Sequence, residues 1–234
     1  MKKEVPKISI AVDGYAGCGK STSAREVARR LHYIYLDTGA MYRAVTLYFL
    51  RKELDWNDAA TVQEALLDIA ITFGERPRVG ESPVFLNGEN VSKEIRSMTV
   101  TQSVSQVSAV PEIRRFLVAQ QQRIGLGKGV VAEGRDIGTV VFPDAEVKVF
   151  MQASMEARVS RRQEQLREQG YTDISLEQIE ENLQKRDYLD TTRADSPLRK
   201  AADAHTLDTS ETTFEEQVQY ILSLVETTLA VIPQ

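Results

Sequence analysis

Gly14-Tyr15-Ala16-Gly17-Cys18-Gly19-Lys20-Ser21 fits the pattern G-x-x-x-x-G-K-[ST], and that spacing suits one task, the cradling of nucleotide phosphates. Glycines let consecutive backbone N–H groups turn inward as an anion nest, and a helix starting at the same point adds the positive end of its dipole. In such a loop Lys20 reaches the β- and γ-phosphates and the Ser21 hydroxyl ligates Mg²⁺, with water and phosphate filling the other positions. Gly14 through Thr22 is therefore the expected ATP-binding stretch. Its flanks are those the motif requires. Ile8-Ser9-Ile10-Ala11-Val12 reads as a buried parallel strand, and Ala24, Val27, Ala28 and Leu31 recur as the apolar stripe of a following helix.

Phosphoryl transfer rests on positioning and on neutralising charge as it spreads, so arginines beyond the P-loop are the next residues of interest. Arg43 lies one turn into a helix that follows Asp37-Thr38-Gly39. These residues fit either an anion site or a capped helix with a solvated arginine. Arg135 and Asp136 follow Glu133-Gly134 at the end of an apolar run. Carboxylates there could orient a base, a ribose or hydrated Mg²⁺, or form a structural Arg–Asp pair. Arg186, Asp190 and Arg193, spaced by four and three, are expected on one helical face, as a phosphate-and-sugar site or as a salt-bridge ladder. Arg158, Arg161 and Arg162 fall on one side of another helix. That arrangement suits a mobile lid closing on triphosphate, or a solvated face. Cys18 sits at a variable loop position, and His32 and His205 lack metal-ligand spacing.

The elements that must position these residues alternate in type. Tyr33–Leu36, Gly129–Ala132, Val147–Met151 and His205–Asp208 read as strands beside the first, with helices between them. That alternation implies an α/β fold with a parallel, doubly wound sheet, and ligands bind beyond the C-terminal strand ends of such sheets. Thr38 is expected to cap a helix from about Ala40 to Lys52. Ser154 and Ser175 open two further helices, and Thr212 with Glu215 opens the last, whose packed face runs from Phe214 to Leu229. Residues 57–127 break the rhythm with an Asn87-Gly88 hairpin signal and two helical pieces, and read as an insertion. The expected organisation is core over 1–56, insertion over 57–127, core over 128–153, lid and flanking helices over 154–193, and core over 194–234.

Composition excludes several classes. The chain has 234 residues, a formal net charge of −5 and 42% hydrophobic residues. It has no basic field to draw nucleic acid and no apolar run approaching a membrane span. Met1–Pro6 leads directly into the first strand, so no signal peptide is expected, and the lone Cys18 fits a reducing cytoplasm. No long apolar patch calls for a partner subunit, so a monomer acting on small nucleotides is expected.

Taken together, the chain resembles the bacterial cytidylate kinases, P-loop nucleoside monophosphate kinases. The resemblance runs through Gly14–Thr22, Asp37–Arg43, Leu86–Arg96, Glu133–Pro143, Arg186–Arg193, Pro197-Leu198 and Ala201–Ala204. It implies a P-loop NTPase-type five-stranded parallel sheet flanked by helices, with a monophosphate-binding insertion and a short helical lid. It further implies transfer of the ATP γ-phosphate to CMP or dCMP. By resemblance, Ser105, Arg114 and Asp136 read the cytosine, and Arg43, Arg135 and Arg186 hold the acceptor phosphate, in a CMP site that also takes in Asp37 and Thr38. Asp190 holds the ribose, while Arg193, Lys20 and the lid arginines Arg158 and Arg162 neutralise the transferring group. Tyr15 and Cys18 stand where the family often has smaller residues, Thr38 where serine is frequent, and Glu133 where aspartate is common. Backbone amides do the loop's work, so ATP binding is expected to survive Tyr15 and Cys18. The alternatives are a P-loop kinase for UMP or another small acceptor, and an ATP-gated binding protein.

Overall fold

A computed structural model of the chain describes residues 6–74 and 82–232. The Met1–Val5 stretch, on which the signal-peptide expectation rests, lies outside the described residues. The described chain runs β1 (Ser9–Gly14), α1 (Lys20–Leu31), β2 (Ile34–Asp37), α2 (Thr38–Arg51), α3 (Ala59–Asp68), β3 (Ile71–Phe73), β4 (Val84–Leu86) and β5 (Glu89–Asn90). A 3₁₀ turn (Glu94–Arg96), α4 (Met98–Val107), α5 (Pro111–Gly125), β6 (Val130–Gly134) and a π-helical turn (Ile137–Val141) follow. The chain then continues through β7 (Val147–Gln152), α6 (Met155–Glu168), α7 (Leu176–Thr192), β8 (His205–Asp208) and α8 (Phe214–Val231). It divides into two compact units, one of residues 1–37 with 122–234 and one of 38–121.

The first unit is built on a five-stranded sheet of order β2-β6-β1-β7-β8, parallel throughout. β1, at its centre, is buried along its whole length, as an apolar strand covered on both faces should be. Ile10, Val12, Val131, Val149 and Met151 pack with Ala24, Val27 and Ala28 of α1 and with Val218, Ile221 and Val225 of α8. The buried charged residues on the strands of this sheet are Asp13, Asp37, Glu133 and Lys148. Burying a charge costs free energy that only a specific partner offsets, so each marks a position with a task.

The second unit opens at Thr38, ahead of the 57 read from the sequence, because α2 packs on α4 and on the 3₁₀ turn. Its own sheet is antiparallel, of order β3-β4-β5. Asn87 (φ 50°) and Gly88 (φ 83°) both take positive φ, which is the type I′ turn their sequence predicts. Val100, Val104, Val107, Ile113 and Leu117 are buried.

Some local expectations are corrected. Thr38 does not precede its helix as a cap; it is the first residue of α2, which follows β2 directly. The capping box of α8 is Thr213 with Glu216, one residue beyond the expected pair. Thr212 instead accepts from Gln217 at 3.1 and 3.2 Å, and Glu215 accepts from Arg30 at 2.8 and 2.6 Å. The shift leaves Phe214 45% exposed at the helix start, off the packed face. Among the described residues, no helix is long and apolar enough to cross a membrane.

Candidate active site

The P-loop joins β1 to α1. Gly14 takes φ 144°, and a Cβ there would lie 1.9 Å from the Met151 carbonyl oxygen of the neighbouring strand, so only glycine fits. Gly19, in left-handed conformation, precedes α1 and offers no side chain to its first amides. That leaves the helix N-terminus suited to an anion. Lys20 is buried and donates from Nζ to the Tyr15 carbonyl at 2.6 Å. Burial, with the Arg135 cation adding to it, lowers its pKa.

The residues that depart from small types brace this loop. Tyr15 meets Phe150 edge-on at 5.8 Å and lies under the Arg158 guanidinium at 5.4 Å. The Cys18 thiol donates to the Tyr15 carbonyl at 2.9 Å and the Met151 carbonyl at 3.3 Å. Thr209 donates to the Cys18 carbonyl at 3.0 Å.

Ser21, at the start of α1, donates its hydroxyl to Glu133 Oε1 at 2.5 Å, and the Tyr35 hydroxyl donates to the same oxygen at 3.1 Å. Glu133 on β6 is paired in register with Asp37 on β2. Burial raises the Glu133 pKa, and the Asp37 carboxylate raises it further. A hydroxyl and carboxylates converging here form an all-oxygen donor set, the kind a hard divalent cation takes together with water and phosphate oxygens. Among the described residues, no group of three or more His, Cys, Asp and Glu could hold a metal ion by itself.

A second cluster follows β6. Arg135 donates from Nε to Asp190 Oδ2 at 2.7 Å. Arg193 lies 3.6 Å from Asp190 Oδ1 and 3.7 Å from Asp136 Oδ1, and donates to the Ser196 carbonyl at 2.6 and 2.9 Å. Burial alone would raise the Asp190 pKa, but Arg135, Arg193 and Arg186 outweigh it and hold the carboxyl below its usual range. The sequence spacing placed Arg193 on the helical face of Arg186 and Asp190. It is instead the residue after α7, with extended ψ of 145°, and it reaches Asp190 from outside the helix.

The arginines of α6 do not form one outward patch. Arg158 is buried and donates to the Ala16 carbonyl at 2.7 Å and to Asp187 Oδ2 at 2.6 Å. Arg161 donates to the Thr209 hydroxyl and carbonyl. Arg162 donates to the Gln165 amide oxygen at 2.6 Å near the surface. Arg158 and Arg161 turn inward because carbonyls of the P-loop and of the residue after β8 face that side of α6.

Thr38, Arg43, Ser105 and Arg114 belong to the second unit. There Arg114, 1% exposed, donates to the Ser108 carbonyl at 3.1 Å and stacks over the Tyr42 ring at 5.3 Å. Ser105 accepts on its carbonyl from the Ser108 hydroxyl at 3.1 Å. A fully buried arginine on α5 is the strongest polar signal in that unit, and the aromatic face of Tyr42 balances its cation.

The cytidylate kinase family model matches residues 10–227. The chain belongs to the cytidylate kinase family. It is 49% identical over 218 residues to the cytidylate kinase of Cytophaga hutchinsonii, covering 93% of each chain. It is also 49% identical over 218 residues to that of Bacteroides thetaiotaomicron, covering 92% of this chain and 95% of the relative. An uncharacterized protein of Eubacterium ventriosum shares the fold at a TM-score of 0.52 and 11% identity, over 95% of this chain and 99% of that one.

The first unit thus brings together Lys20, Ser21 and Glu133 in one group, and Arg135, Asp136, Asp190 and Arg193 in another. Sequence reasoning passed over Asp13, Tyr35, Asp187 and Ser108. For Asp13 the signal was present: a carboxylate inside an apolar strand run, one residue before the first P-loop glycine.

Proposed function

We propose that the chain transfers the γ-phosphate of ATP to CMP or dCMP, releasing ADP with CDP or dCDP. Family membership over residues 10–227 carries the reading, and the buried arginine–carboxylate cluster around Asp190 supports it.

The P-loop amides and Lys20 bind the ATP phosphates, with the Lys20 ammonium exchanging the Tyr15 carbonyl for phosphate oxygens. Ser21, with Glu133 beside it, would hold Mg²⁺, which would supply charge neutralisation to the nucleotide phosphates. Arg43, Arg135 and Arg186 bind the acceptor phosphate, whose oxygen is already anionic at neutral pH, so no strong general base is needed. Asp190 accepts from the ribose hydroxyls. Arg193, Arg158 and Arg162 neutralise the charge that spreads over the transferring phosphoryl.

Asp136, Ser105 and Arg114 select the base. Cytosine offers an N4 donor beside N3 and O2 acceptors, which a carboxylate and an arginine complement. Uracil turns O4 toward the carboxylate, and such a buried mismatch costs about 1–3 kcal/mol. The chain is read as a cytoplasmic monomer acting on small nucleotides; its net charge of −5 gives no basic field for nucleic acid.

ADP release from ATP and Mg²⁺ with CMP, dCMP, UMP or AMP in separate reactions tests this. Fast turnover with CMP and dCMP and slow turnover with UMP is expected. Comparable turnover with UMP would remove the cytosine-reading role of Asp136, and silence with every acceptor would overturn the kinase reading.

A further inference from the structure

Asp13 is the charged group nearest the P-loop that the proposed reaction does not use. It is 4% exposed on the central strand. Both oxygens of its carboxylate are committed: Oδ1 accepts from the Ile137 amide and Oδ2 from the Gly138 amide, each at 2.7 Å. Those amides open the π-helical turn, and opening amides of a helical turn have no partner within it. Neither interaction touches the P-loop.

The residue directly before this turn is Asp136. Its carbonyl accepts from Val140 at 2.9 Å and Val141 at 3.1 Å. The peptide group joining Asp136 to Ile137 is therefore fixed through both polar atoms, its oxygen by the turn and its N–H by Asp13. A peptide plane held at both ends fixes where the Asp136 side chain leaves the backbone. The far end of the segment is held as well. Lys148 on β7 donates from Nζ to the Pro143 carbonyl at 2.5 Å and to Asp203 at 2.8 and 3.0 Å. Asp13 and Lys148 lie on one face of the sheet, because Ala11 pairs with Lys148 and Asp13 with Phe150.

The energetics make the carboxylate hard to explain as packing alone. Burial pushes the Asp13 pKa up to about 7 against the two amide bonds that lower it, with Asp136 raising it further and Lys20 opposing. An apolar residue would avoid that cost but would orphan two amides, and asparagine has a lone-pair oxygen for only one of them.

We propose that Asp13 is a positioning residue for base selection: by holding the Ile137 and Gly138 amides it aims the Asp136 carboxylate, and so sets the preference for a 4-amino over a 4-oxo pyrimidine nucleotide. The inference rests on the reading of Asp136 as the group that faces the pyrimidine 4-position.

The test is Asp13→Asn, with kcat and KM measured for CMP, UMP and ATP beside the unchanged enzyme. Loss of one amide hydrogen bond is expected to lower the ratio of kcat/KM for CMP to that for UMP by about tenfold, mainly through the CMP KM. The ATP KM is expected to stay within about twofold, because both Asp13 hydrogen bonds go to the Ile137 and Gly138 amides and Lys20 is the weakest of the influences acting on it. A ratio unchanged in a folded variant, whatever its Tm, overturns the inference and leaves Asp13 a structural residue. Gly138→Ala is the second variant. Its Cβ would lie 3.3 Å from Asp13 Oδ2 and 3.2 Å from Lys148 Cδ, displacing the turn from the carboxylate without changing any charge. The same fall in the CMP-to-UMP ratio is expected, and an unchanged ratio there overturns the inference even if Asp13→Asn does not fold. Failure of the unchanged enzyme to prefer CMP would instead defeat the reading on which the inference rests.

Discussion

The Ser21 hydroxyl donates to Glu133 Oε1 at 2.5 Å, joining the first turn of the P-loop helix to the strand beside β1. Glutamate is one methylene longer than the aspartate common in the family at this position, and it reaches the hydroxyl. Glu133→Gln keeps the size and removes the charge. The Mg²⁺ concentration for half-maximal rate should rise by about tenfold or more, since a charged acceptor contributes roughly 1.5–3 kcal/mol. A Mg²⁺ titration at fixed ATP checks this; a curve superimposable on that of the unchanged enzyme would remove Glu133 from the cation site.

Arg158 and Arg162 should separate in their effects. Arg158 holds the Ala16 carbonyl and Asp187 from a buried position, so Arg158→Ala leaves the half-buried Asp187 carboxylate and a loop carbonyl without their donor and should cost about 1–3 kcal/mol of stability along with turnover. Arg162→Ala, at a half-buried position near the surface, should cost less stability than Arg158→Ala, so a loss of kcat larger than its loss of stability reports on phosphoryl transfer. Thermal melts beside kcat for both variants distinguish a structural anchor from a cation that acts mainly on the transferring group. Equal melts would show that the Arg158 contacts hold nothing.

Arg193→Ala is expected to lose stability as well as activity, because the side chain is buried between Asp136, Asp190 and the Ser196 carbonyl. Arg193→Lys keeps the charge but not the planar fork, and should keep most of the fold while losing about 10²-fold or more in kcat. A lysine variant with full turnover would place Arg193 outside the transfer step.

Asp13 also gives the stability curve a defined slope. Its pKa rises from 3.8 in the reference state to about 7 in the fold. Between those values the folded chain holds a proton that the unfolded chain has released, so this group's contribution to stability falls as pH rises through the window and is flat above it. Unfolding free energies of the unchanged chain, minus those of Asp13→Asn, should therefore decline from pH 4 to about 7. A flat difference would mean that Asp13 titrates at its ordinary pKa.

What the sequence made legible was whatever local chemistry decides. The P-loop with its flanks, the strand alternation, the Asn87-Gly88 turn and the Ser175 capping box all follow from short-range rules, and each is present. Arg193 escaped because helical spacing says nothing about where a helix stops, and α7 ends at Thr192. Arg158 and Arg161 escaped because a cationic stripe faces solvent or carbonyls according to what packs above it. Asp13 needed the turn after β6, more than a hundred positions away, to show what its carboxylate holds.

The phosphate loop itself bears a last consequence. Tyr15 is clamped between Phe150 and Arg158, Cys18 is tied to Met151 and Thr209, and the Ala16 carbonyl is held by Arg158. The Tyr15 and Cys18 side chains and the loop's own carbonyls thus tie it to the sheet and to α6, so part of its ordering belongs to folding and not to nucleotide capture. Each loop residue already fixed spares an incoming triphosphate about 1–2 kcal/mol of backbone conformational entropy. The loop is braced by its own core before any guest arrives.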